Sequence, residues 1–303
     1  MALLISVVMN ATEEQIVLRT TSGNITGRLT LPDDGEPCPI AIAGSGPTDM
    51  NGNTVGSGYK NNSLKMLAEE LAIKGIASVR YDKRGVGMSA DAATDEREIR
   101  FEHYIEDAIA WADMLKGDKR FNRVIVIGHS EGSLIGMVAT NRSKAIDAFI
   151  SIAGAGRPAY EIIEEQLMRQ SEQMYREAAE INNKLREGIL VEEVPSELAS
   201  LYRKSVQPYL ISWFRYNPTE EIKKIRVPVL ILQGDKDIQV PVGDAEKLYA
   251  ARLFSSYRII ENMNHVLKHC ESLNTLIQMQ TYQDPSLPIE QTLTESIASF
   301  VKR

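Results

Sequence analysis

The feature that most constrains the fold of this chain is a run of β-branched residues that stops abruptly at a glycine. Val124-Ile125-Val126-Ile127 predicts a strand that is buried on both faces of a parallel sheet. Gly128-His129-Ser130-Glu131-Gly132 follows it directly, and residues 133–139 are compatible with a helix. A G-x-S-x-G pattern between a strand and a helix holds its serine on a strained turn, with the hydroxyl above the sheet edge. The pattern therefore predicts a nucleophile at Ser130, against the alternative of an ordinary strand-to-helix turn.

The composition sets the size and the general class of the protein. The chain has 303 residues, of which 43% are hydrophobic, enough for the core of one large α/β domain or of two ordinary ones. Its net charge of −7, with acidic and basic residues interspersed, argues against a nucleic-acid partner. Cys38 and Cys270 are too few for a disulfide framework, and their spacing matches no metal motif. We expect reduced thiols and no bound metal.

The apolar start of the chain, residues 2–9, is too short to cross a bilayer. No Lys or Arg precedes it, and no convincing small-residue cleavage site follows it. We predict a first strand or a disordered start here, and a cytoplasmic protein with no membrane partner. The alternative is a poorly formed export signal.

Strands and helices alternate along most of the chain, which predicts a doubly wound, mostly parallel α/β sheet. The predicted strands are residues 15–19, 25–31, 39–43, 76–81, 124–127, 146–152, 226–232 and 257–260. The predicted helices begin at residue 63, span 96–116, follow the nucleophile, lie around 245–253 and close the chain.

The alternation stops at about Gly156, where charged helical sequence without strands begins. We therefore predict a core domain of residues 1–155 and 223–303, with an inserted helical cap of residues 156–222. Large apolar side chains of such a cap more often pack onto the core than bind a ligand, but collectively they can line a substrate pocket. The candidates are Tyr160, Met168, Met174, Tyr175, Trp213, Phe214 and Tyr216.

A serine nucleophile needs a base within hydrogen-bond reach and a carboxylate that orients this base. Of the four histidines, His265 stands in the loop directly after the last predicted strand and is the natural base. His129, next to the serine on the turn, is expected to project away from it. The other two are His103, within a predicted helix, and His269, which follows the loop.

The orienting carboxylate is assigned to one of two aspartates. Asp237 lies just past the C-terminal end of a core strand, where the ligand-contacting loops of open α/β sheets emerge. Asp235 is closer to the strand, and an aspartate there more often caps its own turn. We therefore favour Asp237 and keep Asp235 as the alternative. Because His265 has to be neutral to accept a proton, activity is expected to fall below about pH 6.5.

The oxyanion of the reaction needs two preorganised donors. One is predicted to be the backbone N–H of Glu131, directly after the nucleophile at the start of a helix. The other is assigned to the N–H of Ser45, in the glycine-rich loop that follows the third strand. The alternative for that loop is a simple turn. The side chain of Glu131 is expected only to favour the positive end of the helix dipole.

These patterns together resemble the α/β-hydrolase superfamily over essentially the whole chain. The chain order of serine, aspartate and histidine is the order expected there. The loop Asp82–Ser89, DKRGVGMS, resembles the D-x-R-G-x-G-x-S loop of the esterase and serine aminopeptidase-like members. Residues 43–53, AGSGPTDMNGN, resemble the oxyanion loop of a bacterial carboxylesterase branch, in place of the HGGG loop of hormone-sensitive-lipase-like members. The resemblance implies ester hydrolysis.

We interpret the chain as a cofactor-independent serine carboxylesterase with the triad Ser130, His265 and Asp237, acting on esters with a small or medium acyl chain. The same triad in an aminopeptidase, amidase or thioesterase is the nearest alternative, and a non-catalytic binding protein of this fold is another. A serine at position 130 argues against dehalogenases and epoxide hydrolases, which need a carboxylate nucleophile there. The expected partner is a small ester substrate, and a homodimer is left open.

Overall fold

The structure, a computed structural model, describes residues 11–32, 38–42, 46–93 and 95–303 of the chain. An eight-stranded sheet forms its centre. The strands are β1 (Thr12–Thr20), β2 (Gly23–Leu31), β3 (Cys38–Ile42), β4 (Ser78–Tyr81), β5 (Val124–His129), β6 (Ala148–Ile152), β7 (Val229–Gly234) and β8 (Ser256–Ile260). All eight correspond to strands that the sequence predicts.

The strand order in the sheet is β1-β2-β4-β3-β5-β6-β7-β8. β1 and β2 form an antiparallel hairpin, and β2 pairs antiparallel with β4. The remaining pairings are all parallel. The helices on its two faces make this a doubly wound sheet, as the alternation of strands and helices predicts.

The helices of the described residues lie on both faces of the sheet and in the insertion after β6. They are α1 (Ser63–Ile73), α2 (Phe101–Lys116), α3 (Glu131–Arg142), α4 (Ala159–Met168), α5 (Glu172–Arg186), α6 (Ala199–Tyr202), α7 (Gln207–Trp213), α8 (Pro218–Lys224), α9 (Val242–Ala251), α10 (Thr275–Tyr282) and α11 (Gln291–Val301).

The central strand β5 has apolar partners on both of its faces. Val124 and Val126 lie in the apolar layer that includes residues of α2 and α3. Ile125 and Ile127 lie in the layer that includes residues of α1 and α11. Because successive side chains of a strand point to opposite faces, the β-branched run fills both layers. The prediction of a strand buried on both faces is confirmed.

The helix predicted over residues 96–116 begins later, at Phe101. Glu96–Glu98 form a separate 3₁₀ turn, and the two residues between are extended. The N–H of Phe101 donates to Ser212 Oγ at 2.8 Å, and its ring stacks on that of Trp213 with centroids 5.9 Å apart. These contacts with a distant segment override the helical tendency of the residues before Phe101, so the predicted start was wrong.

Helices α4 to α7 follow β6 in the region predicted as the cap. α4 and α5 are separate, because Ser171 caps α5 by accepting a hydrogen bond from the N–H of Met174. The next helix, α8, packs against the core helices α3 and α9. The predicted boundary between residues 222 and 223 lies inside α8, and the division into two domains stays a prediction.

One helix of the C-terminal third, α10, has no counterpart in the sequence prediction. Its apolar side chains do not form a buried stripe, since Leu276 and Ile277 are 78% and 46% exposed. The signal present in the sequence is Asn274, whose Oδ1 accepts hydrogen bonds from the N–H groups of Leu276 and Ile277. A cap without an apolar face is a weak predictor of a helix.

Two predictions fall on residues that the structure does not describe. The strand or disordered start predicted for residues 2–9 lies outside the described residues, and so does Ser45. Within the described ranges, no helix combines the length and the apolar character that crossing a bilayer requires.

Candidate active site

The predicted nucleophile Ser130 sits on a sharp turn between β5 and α3. Its φ and ψ are 55° and −122°. This backbone conformation is strained for any residue other than glycine. The turn is held by a hydrogen bond of 2.9 Å from Ser130 N to Ile152 O. A Cβ on Gly128 would lie 2.2 Å from the carbonyl oxygen of Gly132, so only glycine fits at this crossing of strand and helix.

The predicted base and acid meet at the C-terminal edge of the sheet. His265 Nδ1 donates to Asp237 Oδ2 at 2.8 Å, and the side chains of both residues are buried. The other carboxylate oxygen of Asp237 accepts hydrogen bonds from the N–H groups of Gln239 and Val240 at 2.7 and 2.9 Å. Burial raises the pKa of Asp237, but His265 and these N–H groups outweigh it and hold the pKa below its usual value.

The alternative acid, Asp235, has a different role. Its Oδ1 accepts a hydrogen bond of 2.6 Å from the N–H of Asn262, and its other oxygen contacts the neighbouring Lys236. Asp235 therefore fastens the loop that precedes His265. The structure places Asp237, and not Asp235, against the histidine ring.

Ser130, Asp237 and His265 line one cavity of about 910 Å³, which we call the histidine cavity. Since His265 Nδ1 is occupied by Asp237, Nε2 is the nitrogen that can serve the serine. Ser130 Oγ makes no hydrogen bond within the described part of the chain. Hydrogen bonds of this kind are often long without substrate and shorten in the complex.

His129, which the sequence predicts to project away from Ser130, contacts the loop that carries His265. Its Nε2 donates to the backbone carbonyl of His265 at 2.8 Å, and the two rings lie 5.0 Å apart. Burial lowers the pKa of His129 to about 4, and the neighbouring His265 adds to this effect. His129 is therefore a neutral donor at ordinary pH, and it connects the nucleophile turn to the loop of the base.

The predicted oxyanion donors are only partly described. Glu131 is the first residue of α3, where backbone N–H groups have no acceptor within the helix. The loop around Ser45 lies outside the described residues, but its continuation is fastened to Asp82. Asp82 Oδ1 accepts from Met50 N at 2.7 Å, and a Cβ on Gly87 would lie 2.5 Å from Asp82 Oδ2. The DKRGVGMS loop thus supports the chain that follows the predicted oxyanion loop.

The side chain of Glu131 does more than lie near a helix dipole. It is buried, and its Oε1 lies 3.6 Å from the Nζ of Lys83, which is also buried. Lys83 Nζ also lies 5.2 Å from the ring centre of Tyr104. Burial lowers the pKa of Lys83, and the Glu131 carboxylate opposes this shift. The sequence reasoning missed this pair, because no local pattern connects position 83 to position 131.

A second cavity, of about 460 Å³, is lined largely by residues of the predicted cap and is called the cap cavity. It also includes Ser130, together with Glu131. Its walls are largely apolar and come from α3, α4, α6 and α7. The apolar side chains include Leu134, Ile162, Ile163, Leu167, Leu201 and Leu210.

Of the cap side chains proposed as a substrate pocket, Trp213 lines the cap cavity. Tyr160 and Phe214 pack edge to face on each other with centroids 5.6 Å apart, and Met168 is 46% exposed. The face of α4 toward the cavity carries Ile162, Ile163 and Leu167 instead. The residues that line neither cavity are Tyr160, Met168, Met174, Tyr175, Phe214 and Tyr216.

A family model described as Serine aminopeptidase, S33 matches residues 56–210, about half of the chain. The chain belongs to this family. The matched part of the S33 chain includes Ser130, helices α4 to α6 and the first residues of α7, whereas Asp237 and His265 lie beyond it. The resemblance to serine aminopeptidase-like members that the DKRGVGMS loop indicates is confirmed.

Curated and solved proteins extend this likeness over nearly the whole S33 chain. It is 30% identical over 275 residues to esterase EstD of Thermotoga maritima, an alignment that covers 85% of this chain and 61% of EstD. The chain therefore spans less than two thirds of the length of that relative. The structure of Est1E from Butyrivibrio proteoclasticus with bound ferulic acid is 17% identical, with a TM-score of 0.62 over 95% of this chain and all of that one. A Pyrococcus furiosus esterase structure is 16% identical, with a TM-score of 0.61 over 97% and 91% of the two chains. The α/β-hydrolase fold predicted from the sequence is confirmed.

Proposed function

We propose that this chain is a serine carboxylesterase in which Ser130 is the nucleophile, His265 the general base and acid, and Asp237 the carboxylate that orients His265. The observation that carries the proposal is that Ser130 and the hydrogen-bonded pair of His265 and Asp237 line one cavity. The names of EstD and of the Pyrococcus furiosus structure, both esterases, support the reaction class.

The reaction follows from this arrangement. Ser130 Oγ attacks the ester carbonyl carbon while His265 Nε2 takes the hydroxyl proton, and the carbonyl oxygen becomes an oxyanion. The Glu131 N–H, and the Ser45 N–H as predicted, stabilise the oxyanion, each by about 3 kcal/mol or more of barrier. His265 then gives the proton to the departing alcohol oxygen, which leaves an acyl group on Ser130. Water repeats the attack with His265 as base and releases the carboxylic acid.

The apolar cap cavity favours an acyl group of moderate size. A water molecule occupies roughly 30 Å³ of liquid, so about 460 Å³ accommodates on the order of a dozen heavy atoms. This is room for a medium aliphatic acyl chain or for one aromatic ring on a short linker. The ferulic acid in the Est1E structure carries one aromatic ring on a short linker.

The family description favours one rival, an aminopeptidase, and the cap cavity argues against it. An aminopeptidase has to bind the α-ammonium group beside the scissile carbonyl, which requires an accessible carboxylate. Among the described residues that line the cap cavity, Glu131 supplies the carboxylate, and both of its oxygens are buried away from the cavity. Its partner is Lys83 rather than a ligand.

A fluorophosphonate probe and a substrate series test the proposal. We expect the wild-type protein to be labelled and the Ser130→Ala variant to remain unlabelled. An acyl-length series of p-nitrophenyl esters should give kcat/KM values that rise to medium chains and exceed those of aminoacyl amides and acyl thioesters. Labelling that persists in Ser130→Ala contradicts the nucleophile assignment, and equal turnover of aminoacyl amides favours the peptidase.

A further inference from the structure

The histidine cavity and the cap cavity meet at Ser130, and they differ in chemistry. The cap cavity is bordered by Glu131, whose N–H is the oxyanion donor of the proposed function. The histidine cavity contains His265 and Asp237, and most of its lining residues carry polar side chains beside apolar surface. An ester bound at Ser130 has two halves, one for each cavity.

The proton transfer decides which half of the ester lies in which cavity. The alcohol oxygen has to come within hydrogen-bond reach of His265 Nε2, because this nitrogen returns the proton to it. His265 lines the histidine cavity and does not line the cap cavity. The alcohol half therefore occupies the histidine cavity, and the acyl half occupies the cap cavity.

The histidine cavity carries polar side-chain groups that the protein does not use. Asn61 is 4% exposed and lines the cavity, and its Oδ1 accepts from the N–H of Ser63 at 2.9 Å. No described residue accepts a hydrogen bond from its Nδ2. A nearly buried amide without a partner is costly unless a ligand or water completes its hydrogen bonds. Other side-chain polar groups of the lining that make no hydrogen bond within the described ranges include those of Thr54, Tyr59, Gln170 and Thr275.

An aromatic surface lies among these groups. The Tyr59 ring packs edge to face on Tyr282 with centroids 6.5 Å apart, and Tyr59 is 38% exposed. Tyr282 is fixed in turn, because its hydroxyl accepts from Gln239 Nε2 at 2.9 Å. Tyr59 thus offers an apolar ring face and a free hydroxyl to the same ligand.

The charged groups of the cavity are committed elsewhere. The guanidinium of Arg169 donates to the carbonyl oxygen of Ile238 and pairs with Glu165. Asp237 is held by His265, and His129 is neutral at ordinary pH because of its lowered pKa. Among the described lining residues, no uncommitted charge favours an ionic alcohol, so the ligand that fits is neutral.

We propose that the histidine cavity binds a neutral, polyhydroxylated alcohol of sugar size, so that the substrate is a medium acyl ester of such an alcohol. The inference rests on the proposed esterase function and adds to it the class of the leaving group. Several hydroxyls of one ligand can reach Asn61, Thr54 and Tyr59 together, whereas an alkyl alcohol leaves these groups unpaired.

A matched series of hexanoyl esters tests the inference. The acyl group is kept constant, and the alcohol is ethanol, glycerol or methyl glucoside acylated at its primary hydroxyl. Each kcat/KM is divided by the rate constant for hydroxide-catalysed hydrolysis of the same ester, which removes differences in leaving-group reactivity. We expect the normalised value to rise in this order, by about tenfold or more from the ethyl ester to the glucoside ester.

Variants show whether the cavity itself makes this distinction. Thr54→Val and Tyr59→Phe remove one hydroxyl each, and each should reduce the glucoside-to-ethyl ratio of kcat/KM about threefold to tenfold. Tyr257→Phe, on strand β8 outside both cavities, is the matched control and should leave the ratio unchanged.

The outcomes separate the two proposals. A wild-type ratio near one, or a ratio that Thr54→Val and Tyr59→Phe leave unchanged, overturns the polyhydroxylated leaving group while the esterase function stands. If no ester is hydrolysed, the p-nitrophenyl esters included, the esterase function fails and this inference fails with it.

Discussion

Two buried acid–base pairs flank Ser130, and they are built in opposite ways. His265 and Asp237 are hydrogen-bonded at 2.8 Å, and both line a cavity. Lys83 and Glu131 are 3.6 Å apart, and neither oxygen of Glu131 has a hydrogen-bond partner within the described part of the chain. The first pair can exchange a proton with a ligand, because one of its nitrogens can face the cavity. The side chains of the second pair, which we call the sealed pair, are both buried. Its role is therefore limited to balancing charge.

The difference teaches how charge is distributed around the nucleophile. In the proposed mechanism the oxyanion forms at the N–H of Glu131, where an unbalanced carboxylate on the same residue would oppose it electrostatically. The cation of Lys83 compensates this carboxylate from behind the turn. In the proposed mechanism, different residues therefore provide charge balance on one side of Ser130 and proton transfer on the other. Three variants test this division.

The largest effect is expected for the hydrogen-bonded pair. Asp237→Asn should lower kcat for p-nitrophenyl hexanoate by about 10⁴-fold, because an amide favours the wrong tautomer of His265. Asp235→Asn is the matched control, since its remaining oxygen can still accept from Asn262 N, and kcat should change by less than about threefold. The assignment of the acid is wrong if Asp235→Asn loses the activity and Asp237→Asn keeps it.

The sealed pair is expected to affect stability. Lys83→Met leaves Glu131 as an unpaired buried charge and should lower the free energy of unfolding by about 3 to 5 kcal/mol in urea titrations. Adding Glu131→Gln removes that charge, and the double variant should recover most of the loss. The Glu131→Gln single variant completes the comparison. If the loss in the double variant equals the sum of the losses in the two single variants, the pair is not coupled.

The smallest effect concerns His129, which connects the two sides. Its pKa is about 4 in the folded protein and about 6.5 when unfolded, so the unfolded chain binds the proton first on acidification. The contribution of neutral His129 to the free energy of unfolding is fully present above pH 6.5. It is lost as the pH falls toward 4, by about 3 kcal/mol in total.

His129→Gln isolates this contribution, because a Gln amide can donate to the carbonyl of His265 in place of Nε2 and does not titrate. Urea unfolding of both proteins at pH 7 and pH 4.5 should show a smaller loss in the variant. An equal loss in the two proteins would show that His129 does not contribute to the acid sensitivity.

Local rules explain why the nucleophile turn was predictable. The strand β5 and the turn at Ser130 depend on neighbouring residues, since Gly128 has to clear the carbonyl of Gly132 only four positions later. Asp237 and His265 each follow a strand of the same sheet, and the ends of parallel strands share one edge. Alternation of strands and helices was enough to bring them to that edge.

The lining of the two cavities was not predictable in the same way. Of the large cap side chains proposed from the sequence, Trp213 lines the cap cavity, and the α4 part of that wall carries smaller apolar residues. Which face of a cap helix points to the substrate depends on how the helix docks, and both faces of α4 contain apolar residues. The observed start of α2 differs from the predicted start for the same reason, because Phe101 packs on Trp213 of the predicted cap.

The sequence by itself determined the sheet, the strained turn at Ser130 and the loops that carry Asp237 and His265, because these depend on local backbone rules and strand order. The tertiary structure alone decided which residues line the two cavities, and that Lys83 pairs with Glu131. Such contacts join positions far apart in the chain, and their geometry depends on how whole helices and loops pack against each other.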